Sequence, residues 1–186
     1  MKLIKRVLGV LVDYPTVANV LVLTLVGVHL LTTQWHPDWN IAVRLVEAST
    51  ESKTLSDLTS LALGAATIAA MVGGFAGVVV IFGLGAENDR FRILRQKGGR
   101  RLRASWVSVV LVSFVAAFGS VSAAIVVVAF NAVVGMWIFE ATLLLSAHAA
   151  VRLTWLLGRL ARLVDASDKD AETQSKRVSA ESMFKD

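Results

Sequence analysis

The long apolar runs of this 186-residue chain contain few ionisable or polar side chains, and those few are the first candidates for chemistry. Glu140 lies about seven residues, or about 10 Å at the helical rise, into the last run. His29 lies about 9 Å from the corresponding end of the first run. Their matching depth predicts a hydrogen-bonded pair, and ionisable groups inside a membrane are functional candidates by default because their burial is costly. His148 and Asn19 also match in depth, near the opposite ends of the same two runs, which we expect to lie on the cytoplasmic side.

Two interpretations of Glu140 stay open. It is either a protonated carboxyl group bonded to a neighbour, or a proton or cation site facing a pore or the centre of a helix bundle. For His148 a structural role is favoured, because Arg152 and the lipid headgroups lie one helical turn away. A metal centre is disfavoured, because His29, His36 and Glu140 supply too few ligands.

Catalytic and cofactor signatures are missing from the sequence. The chain has no cysteine, which excludes disulfides and cysteine-ligated zinc or iron–sulfur sites. It has no HExxH motif and no nucleophile elbow. The sequence therefore predicts a non-enzymatic protein that uses no cofactor.

The elements that carry these residues are four apolar runs. Hydrophobic residues make up 55% of the chain and charged residues 18%, which excludes an ordinary soluble domain at about 45–50% and about 25%. Each run is long enough for a transmembrane helix of about 20 residues. We predict an all-α, polytopic integral membrane protein whose four-helix transmembrane domain fills residues 1–164, with spans at about 17–35, 58–86, 106–130 and 133–151. Asn131 and Ala132 alone separate the last two spans and predict a tight hairpin.

The distribution of charge predicts the orientation in the membrane. Residues 87–103 carry seven basic and two acidic side chains, whereas residues 35–57 carry two basic and four acidic ones. We therefore expect the basic loop 87–105 and both termini on the cytoplasmic side. The Ala, Val and Arg content favours a bacterial or phage source and hence the inner (cytoplasmic) membrane.

The basic loop lies directly against the membrane, which favours contact with anionic lipid headgroups or a cytosolic partner over contact with nucleic acid. The residues expected to make this contact are Arg90, Arg92, Arg95, Lys97, Arg100, Arg101 and Arg103.

The two ends of the chain flank the bundle. Lys2, Lys5 and Arg6 share one side of a short N-terminal helix that we expect to lie on the membrane surface. Residues 152–164 continue the fourth helix as a cytoplasmic extension, with Arg152 and two later arginines on one side and leucines on the other. The polar tail 165–186 is predicted to be disordered.

Small residues spaced four apart in the second and third spans predict close helix packing. They are Ala66, Ala69, Ala70, Gly73, Gly74, Gly77, Ala116, Ser120 and Ala124. Packing within one bundle is the favoured interpretation, and homo-oligomerisation through the second span is the alternative.

Three functions are consistent with these features. The first is an oligomeric, channel-like or membrane-effector assembly. The second is a membrane anchor or adaptor that recruits a cytosolic partner through the basic loop and the C-terminal extension. The third is a small proton-coupled carrier that uses Glu140.

Overall fold

A computed structural model describes residues 15–40, 43–44, 51–85 and 89–183, with most side chains of residues 83–103 and 167–183 outside the description. The predicted N-terminal surface helix lies outside the described residues. The helices are α1 (Pro15–Trp35), α2 (Glu51–Gly85), α3 (Asp89–Ala129) and α4 (Ala132–Met183), and a short 3-10 helix, Pro37–Trp39, follows α1.

All four helices are long and apolar enough to cross a membrane. An α-helix pairs all its central backbone groups internally, which is what a segment without access to water requires. The all-helical class and the four potential spans predicted from the sequence are confirmed. The apolar stretches are Thr16–Trp35, Leu55–Phe82, Ala104–Ala129 and Ala132–Ala166.

Two helices extend past the predicted spans. Helix α3 begins at Asp89 and runs without a break through Gly98 and Gly99, across most of the segment predicted as a loop. Helix α4 continues to Met183, across most of the segment predicted as a disordered tail. Neither extension contains proline, and both are rich in residues with good helix propensity. An Asp165–Lys169 contact of 3.1 Å, one turn apart, adds local support.

The predicted tight hairpin between the last two spans is present. Helix α3 ends at Ala129 and α4 begins at Ala132. The side-chain oxygen of Asn131 accepts hydrogen bonds from the backbone N–H groups of Val133 (2.9 Å) and Val134 (3.1 Å). Asn131 is thus the N-cap of α4, and it satisfies two donors that a helix start leaves unpaired.

The seam between α3 and α4 depends on two glycines. A Cβ atom at Gly135 would lie 2.4 Å from a methyl group of Val127 and 2.8 Å from the backbone nitrogen of the same residue. A Cβ atom at Gly119 would lie 2.5 Å from the methyl group of Thr142. Beside it, the buried Ser120 hydroxyl donates to Thr142 Oγ1 at 2.8 Å. The two backbones approach too closely here for a larger residue.

The small residues of α2 divide between two environments. A Cβ atom at Gly73 would lie 3.1 Å from that of Ser113 on α3, so this glycine faces the bundle. Gly74 is exposed, and neither Gly74 nor Gly77 has an atom near its missing Cβ. The predicted packing residues that the bundle buries are Ala66, Ala69, Gly73, Ala116, Ser120 and Ala124, those that are exposed are Ala70 and Gly74, and Gly77 is half-buried.

Helix α1 lies at the edge of the bundle. It contacts mainly α4, and this interface is far smaller than those of α3 with α2 and with α4. Only 11% of its most apolar 18-residue stretch is buried, against 44% of the corresponding stretch of α3. Large side chains such as Val20, Leu25 and Leu31 face away from the protein. Any specific contact between α1 and α4 therefore has a large share in positioning α1.

Candidate functional site

The pair expected from depth alone is formed in the structure. His29 of α1 and Glu140 of α4 are separated by 2.7 Å between Nδ1 and Oε1. They come from helices that run in opposite directions, so a residue near the end of α1 lies level with one near the start of α4. Each side chain is 27% exposed, so the pair is neither sealed inside the bundle nor fully outside it.

The other edge of the imidazole is also occupied. His29 Nε2 lies 3.4 Å from the backbone carbonyl oxygen of Trp39, the last residue of the short 3-10 helix. The ring of Trp137 meets the imidazole edge-on, with centroids 5.2 Å apart and planes at 70°. Trp137 precedes Glu140 by three residues and so shares its helix face. The histidine thus links α1, α4 and the segment that follows α1.

This arrangement restricts the protonation states of the pair. A carbonyl oxygen only accepts, so the contact with Trp39 requires a proton on Nε2 of His29. The bond at Nδ1 then has two forms. In one, an imidazolium donates to the Glu140 carboxylate, and in the other a protonated carboxyl group donates to a neutral imidazole. The two forms differ by the transfer of one proton across the 2.7 Å bond and have the same net charge.

The pair cannot keep both hydrogen bonds with one proton fewer. If the remaining proton stays in the bond to Glu140, Nε2 of His29 presents a lone pair to the Trp39 carbonyl oxygen, which also carries lone pairs. The contact between His29 and the segment 37–39 therefore depends on the protonation of the pair.

The second predicted depth match does not form a pair. His148 Nε2 and Asn19 Oδ1 are both buried, and neither has a hydrogen-bond partner among the described residues. His36 stacks on Trp39 with ring centroids 5.4 Å apart. Within the described ranges, no three histidine, aspartate or glutamate side chains are grouped as metal ligands would be.

Arg152 differs in environment from Arg159, with which the sequence places it on one side of the helix. It is only 7% exposed. Its guanidinium donates to Ser105 Oγ at 2.7 Å and is 3.4 Å from Ser108 Oγ. Arg159 is exposed, and its guanidinium lies 3.9 Å above the ring of Trp155 on its own helix. The difference arises because the side chain of Arg152 faces the two serines of α3.

Several features escaped the sequence analysis. The spacing of Ser105 and Ser108, three residues apart at the start of the third span, was a usable signal for a polar stripe facing α4. The Trp39 carbonyl contact carries no side-chain signal, because any residue supplies a backbone carbonyl. The basic side chains of residues 90–103, expected to contact lipid, lie outside the described residues.

The fold and the outward-facing apolar side chains define an all-helical protein with four helices able to cross a membrane, which indicates a multi-pass membrane protein. Within that class, the interhelical His29–Glu140 pair is its most specific feature. Comparison with protein-family models, curated proteins and solved structures finds no match to this chain.

Proposed function

We propose that this protein is a non-enzymatic, channel-like membrane effector in which proton exchange at the His29–Glu140 pair controls permeation. The observation that carries the proposal is the 2.7 Å contact between the two side chains. Ionisable groups at membrane depth are expensive and commonly belong to ion or proton pathways. A hydrogen-bonded imidazole and carboxyl group between two helices can accept a proton and pass it on.

The opening step in this proposal is a movement of α1. The helix has few other contacts with the bundle, so the pair has a large share in its attachment to α4. Loss of a proton turns an imidazolium–carboxylate pair into a neutral imidazole beside a carboxylate, so the attraction that holds α1 to α4 becomes weaker. The path for protons or small cations then runs along the α1–α4 seam, past the partly exposed Glu140 carboxyl group.

Self-association is part of the proposal. On the outer side of α2, Ala70 and Gly74 are exposed and Gly77 is half-buried, and no atom lies within 4 Å of the missing Cβ of either glycine. Small residues allow helix backbones to approach closely in lipid, where packing replaces the hydrophobic drive. We therefore propose that α2 contacts a second copy of the chain through this face.

The proposed orientation places both termini and the basic segment 90–103 in the cytoplasm of a bacterial cell, in the inner membrane. It rests on the excess of basic residues in that segment. Because the chain has no cysteine, single-cysteine variants test it cleanly. In intact spheroplasts an impermeant maleimide should label D38C but should label K97C only after lysis. Labelling of K97C in intact spheroplasts would contradict this orientation.

An anchor or adaptor is the second candidate, and the length of α4 favours it. The helix continues from Arg152 to Met183, about 46 Å past the level of Arg152 at the helical rise. Such an extension offers a surface for a cytosolic partner. Deleting residues 165–186 or neutralising the basic segment 90–103 should then abolish co-purification of that partner, while Glu140→Gln should have no effect.

A proton-coupled carrier would use the same carboxyl group of Glu140 but would also move a solute. Membrane vesicles distinguish the two functions, because only a carrier shows solute uptake that depends on a proton gradient.

Cells test the channel-like function. Glutamine at position 140 preserves the size of the side chain and a hydrogen bond to His29 but cannot exchange a carboxyl proton. Cells expressing the unmodified protein should show a loss of membrane potential by a voltage-sensitive dye, and cells with equal amounts of Glu140→Gln should not. Asp38→Asn, which removes an exposed carboxylate, is the matched control and should behave like the unmodified protein. Equal depolarisation by Glu140→Gln would contradict the proposal.

A further inference from the structure

Arg152 lies inside the bundle, and none of the described side chains beside it carries an opposite charge. The residue is 7% exposed, and its recorded partners are the hydroxyl groups of Ser105 (2.7 Å) and Ser108 (3.4 Å). Within the described part of the chain, no carboxylate forms an ion pair with it. A buried charge is costly unless it is paired, and a serine hydroxyl is a neutral partner. The positive charge of Arg152 is therefore not neutralised by any described side chain.

The hydrogen-bonding capacity around this arginine is only partly used. A guanidinium has five N–H donors in a planar fork, and two contacts to serine leave donors available. A hydroxyl that accepts from the guanidinium can still donate its own proton. Neither Ser105 nor Ser108 donates to another residue among those described. Two hydroxyl donors and several N–H donors thus surround one positive charge, which is the donor set for an oxyanion.

One further polar atom on the same helix face lacks a partner. His148 Nε2 is buried, has no hydrogen bond among the described residues and lies one helical turn before Arg152, on the same face of α4. Buried polar groups in native proteins are almost always satisfied, so an unmatched atom beside an unmatched charge indicates a missing ligand.

The level of the site within the bundle identifies the kind of ligand. Arg152 lies 20 residues after Ala132, the first residue of α4, which corresponds to about 30 Å at the helical rise. This equals the thickness of a bilayer hydrocarbon core of about 30 Å. Ser105 is the second residue of the apolar stretch Ala104–Ala129. Both sides of the site therefore lie where the hydrocarbon region meets the phosphate groups of the lipids.

We propose that Arg152, Ser105 and Ser108 form a binding site for a phosphate oxyanion between α3 and α4. Arginine recognises phosphate through two parallel N–H···O bonds, and basic sites between transmembrane helices are known to bind lipid headgroups. The phosphate belongs either to a lipid headgroup or to a soluble phosphate that enters from the adjoining aqueous side. This site is separate from the His29–Glu140 pair and does not rest on the proposed channel-like function.

Thermal unfolding of the purified full chain in a neutral detergent tests the site. A ligand that binds the folded state raises the unfolding temperature in a saturable way. Three probes are titrated: dioctanoyl phosphatidic acid, dioctanoylglycerol, which lacks the phosphate, and inorganic phosphate. We expect phosphatidic acid to stabilise the protein and dioctanoylglycerol to have no effect. Stabilisation by inorganic phosphate as well would identify a site open to soluble phosphate, and its absence would identify a lipid site.

Variants assign the effect to the arginine. Arg152→Gln should weaken the apparent affinity for phosphatidic acid at least about tenfold, because a charge-assisted pair is lost. Arg159→Gln removes an exposed charge from the same helix and should leave the affinity unchanged. Arg152→Lys keeps the charge without the planar fork, and it should bind more weakly than the unmodified protein but more tightly than Arg152→Gln.

Two outcomes would overturn the proposal. One is the absence of saturable stabilisation by any phosphate probe. The other is an equal loss of affinity in Arg152→Gln and Arg159→Gln, which would indicate general attraction to a basic surface. If Arg152→Gln does not fold, Ser105→Ala with Ser108→Ala replaces it, since this variant keeps the arginine but removes both hydroxyl donors. An affinity equal to that of the unmodified protein in this double variant and in Arg152→Lys would then also overturn the proposal.

Discussion

Helix α4 has two seams that differ in construction. Against α3 it packs so closely that Gly135 and Gly119 leave no room for a Cβ atom, and the Ser120–Thr142 hydrogen bond is buried within the contact. Against α1 it has sparse contacts, and its specific link is the partly exposed His29–Glu140 pair.

We expect the α3–α4 seam to stabilise the protein and the α1–α4 seam to respond to chemical change. Where small residues pack closely, a larger side chain does not fit without strain, since cores resist overpacking. A seam that depends on one polar pair changes its strength when the pair gains or loses a proton. We therefore propose that helices α2, α3 and α4 form a stable framework and that α1 is the element whose position a small chemical change alters.

The largest expected effect is on the α3–α4 seam. Gly135→Ala places a Cβ atom against the backbone nitrogen of Val127, which cannot move aside, so we expect a loss of about 2 kcal/mol or more in the free energy of unfolding. Gly64→Ala, where no atom lies within 4 Å of the added Cβ, is the matched control and should show no loss. Unfolding in mixed micelles with increasing SDS measures both. Equal stabilities of the two variants would show that the seam is less tight than described.

The next effect concerns the attachment of α1. Glu140→Ala removes the bond to His29, and we expect faster hydrogen exchange of amides in residues 15–35 than in the unmodified protein, with α2 and α3 unchanged. A double-mutant cycle with His29→Ala should give a coupling energy of about 1 kcal/mol, typical of interhelical hydrogen bonds in membranes. A coupling energy of zero, with unchanged exchange in α1, would mean that the pair does not hold the helix.

A smaller effect is expected at the buried hydroxyl pair. Ser120→Ala removes the donor to Thr142 but keeps a small residue in the seam, and the acceptor retains its bond to the Phe139 carbonyl group. We expect a loss of about 0.6 kcal/mol, measured by the same SDS unfolding. Ser122→Ala is the control, since its exposed hydroxyl bonds only to its own helix at Phe118. A loss as large as that of Gly135→Ala would contradict the expectation that this hydrogen bond stabilises the seam less than the close glycine packing does.

The smallest effect on stability is expected on the outer face of α2. Gly74→Leu should leave the fold unchanged, because Gly74 is exposed and nothing lies within 4 Å of the added Cβ. It should reduce the mass of the particle in detergent if this face contacts a second copy, as light scattering would measure. An unchanged mass would argue against self-association through α2. Gly73→Leu is unsuitable here, because Gly73 faces Ser113 within the bundle.

The sequence predicts well how deep a residue lies in the membrane, but it predicts poorly which way its side chain points around the helix axis. Helical rise converts position in the chain into depth, so the level of His29 and Glu140 follows from counting residues. Which small residues of α2 face inward depends on where α3 lies, and the spacing of four fits several adjacent ridges equally well. The burial of Arg152 depends on the same angular information.

The length of the helices was underestimated for a related reason. Hydropathy marks where a helix is apolar, whereas helix propensity and the absence of proline allow α3 and α4 to continue through polar sequence. The contact between His29 and the Trp39 carbonyl group depends on how the chain folds back after α1, and no side-chain pattern indicates it.

Proton flux into liposomes containing the purified protein tests the central claim most directly. With an imposed pH gradient, the unmodified protein and Asp38→Asn should acidify the lumen at equal rates. Glu140→Gln, which retains a hydrogen-bonding side chain but no exchangeable carboxyl proton, should reduce the rate to that of empty liposomes. A rate for Glu140→Gln equal to that of the unmodified protein would contradict a role for the His29–Glu140 pair in permeation.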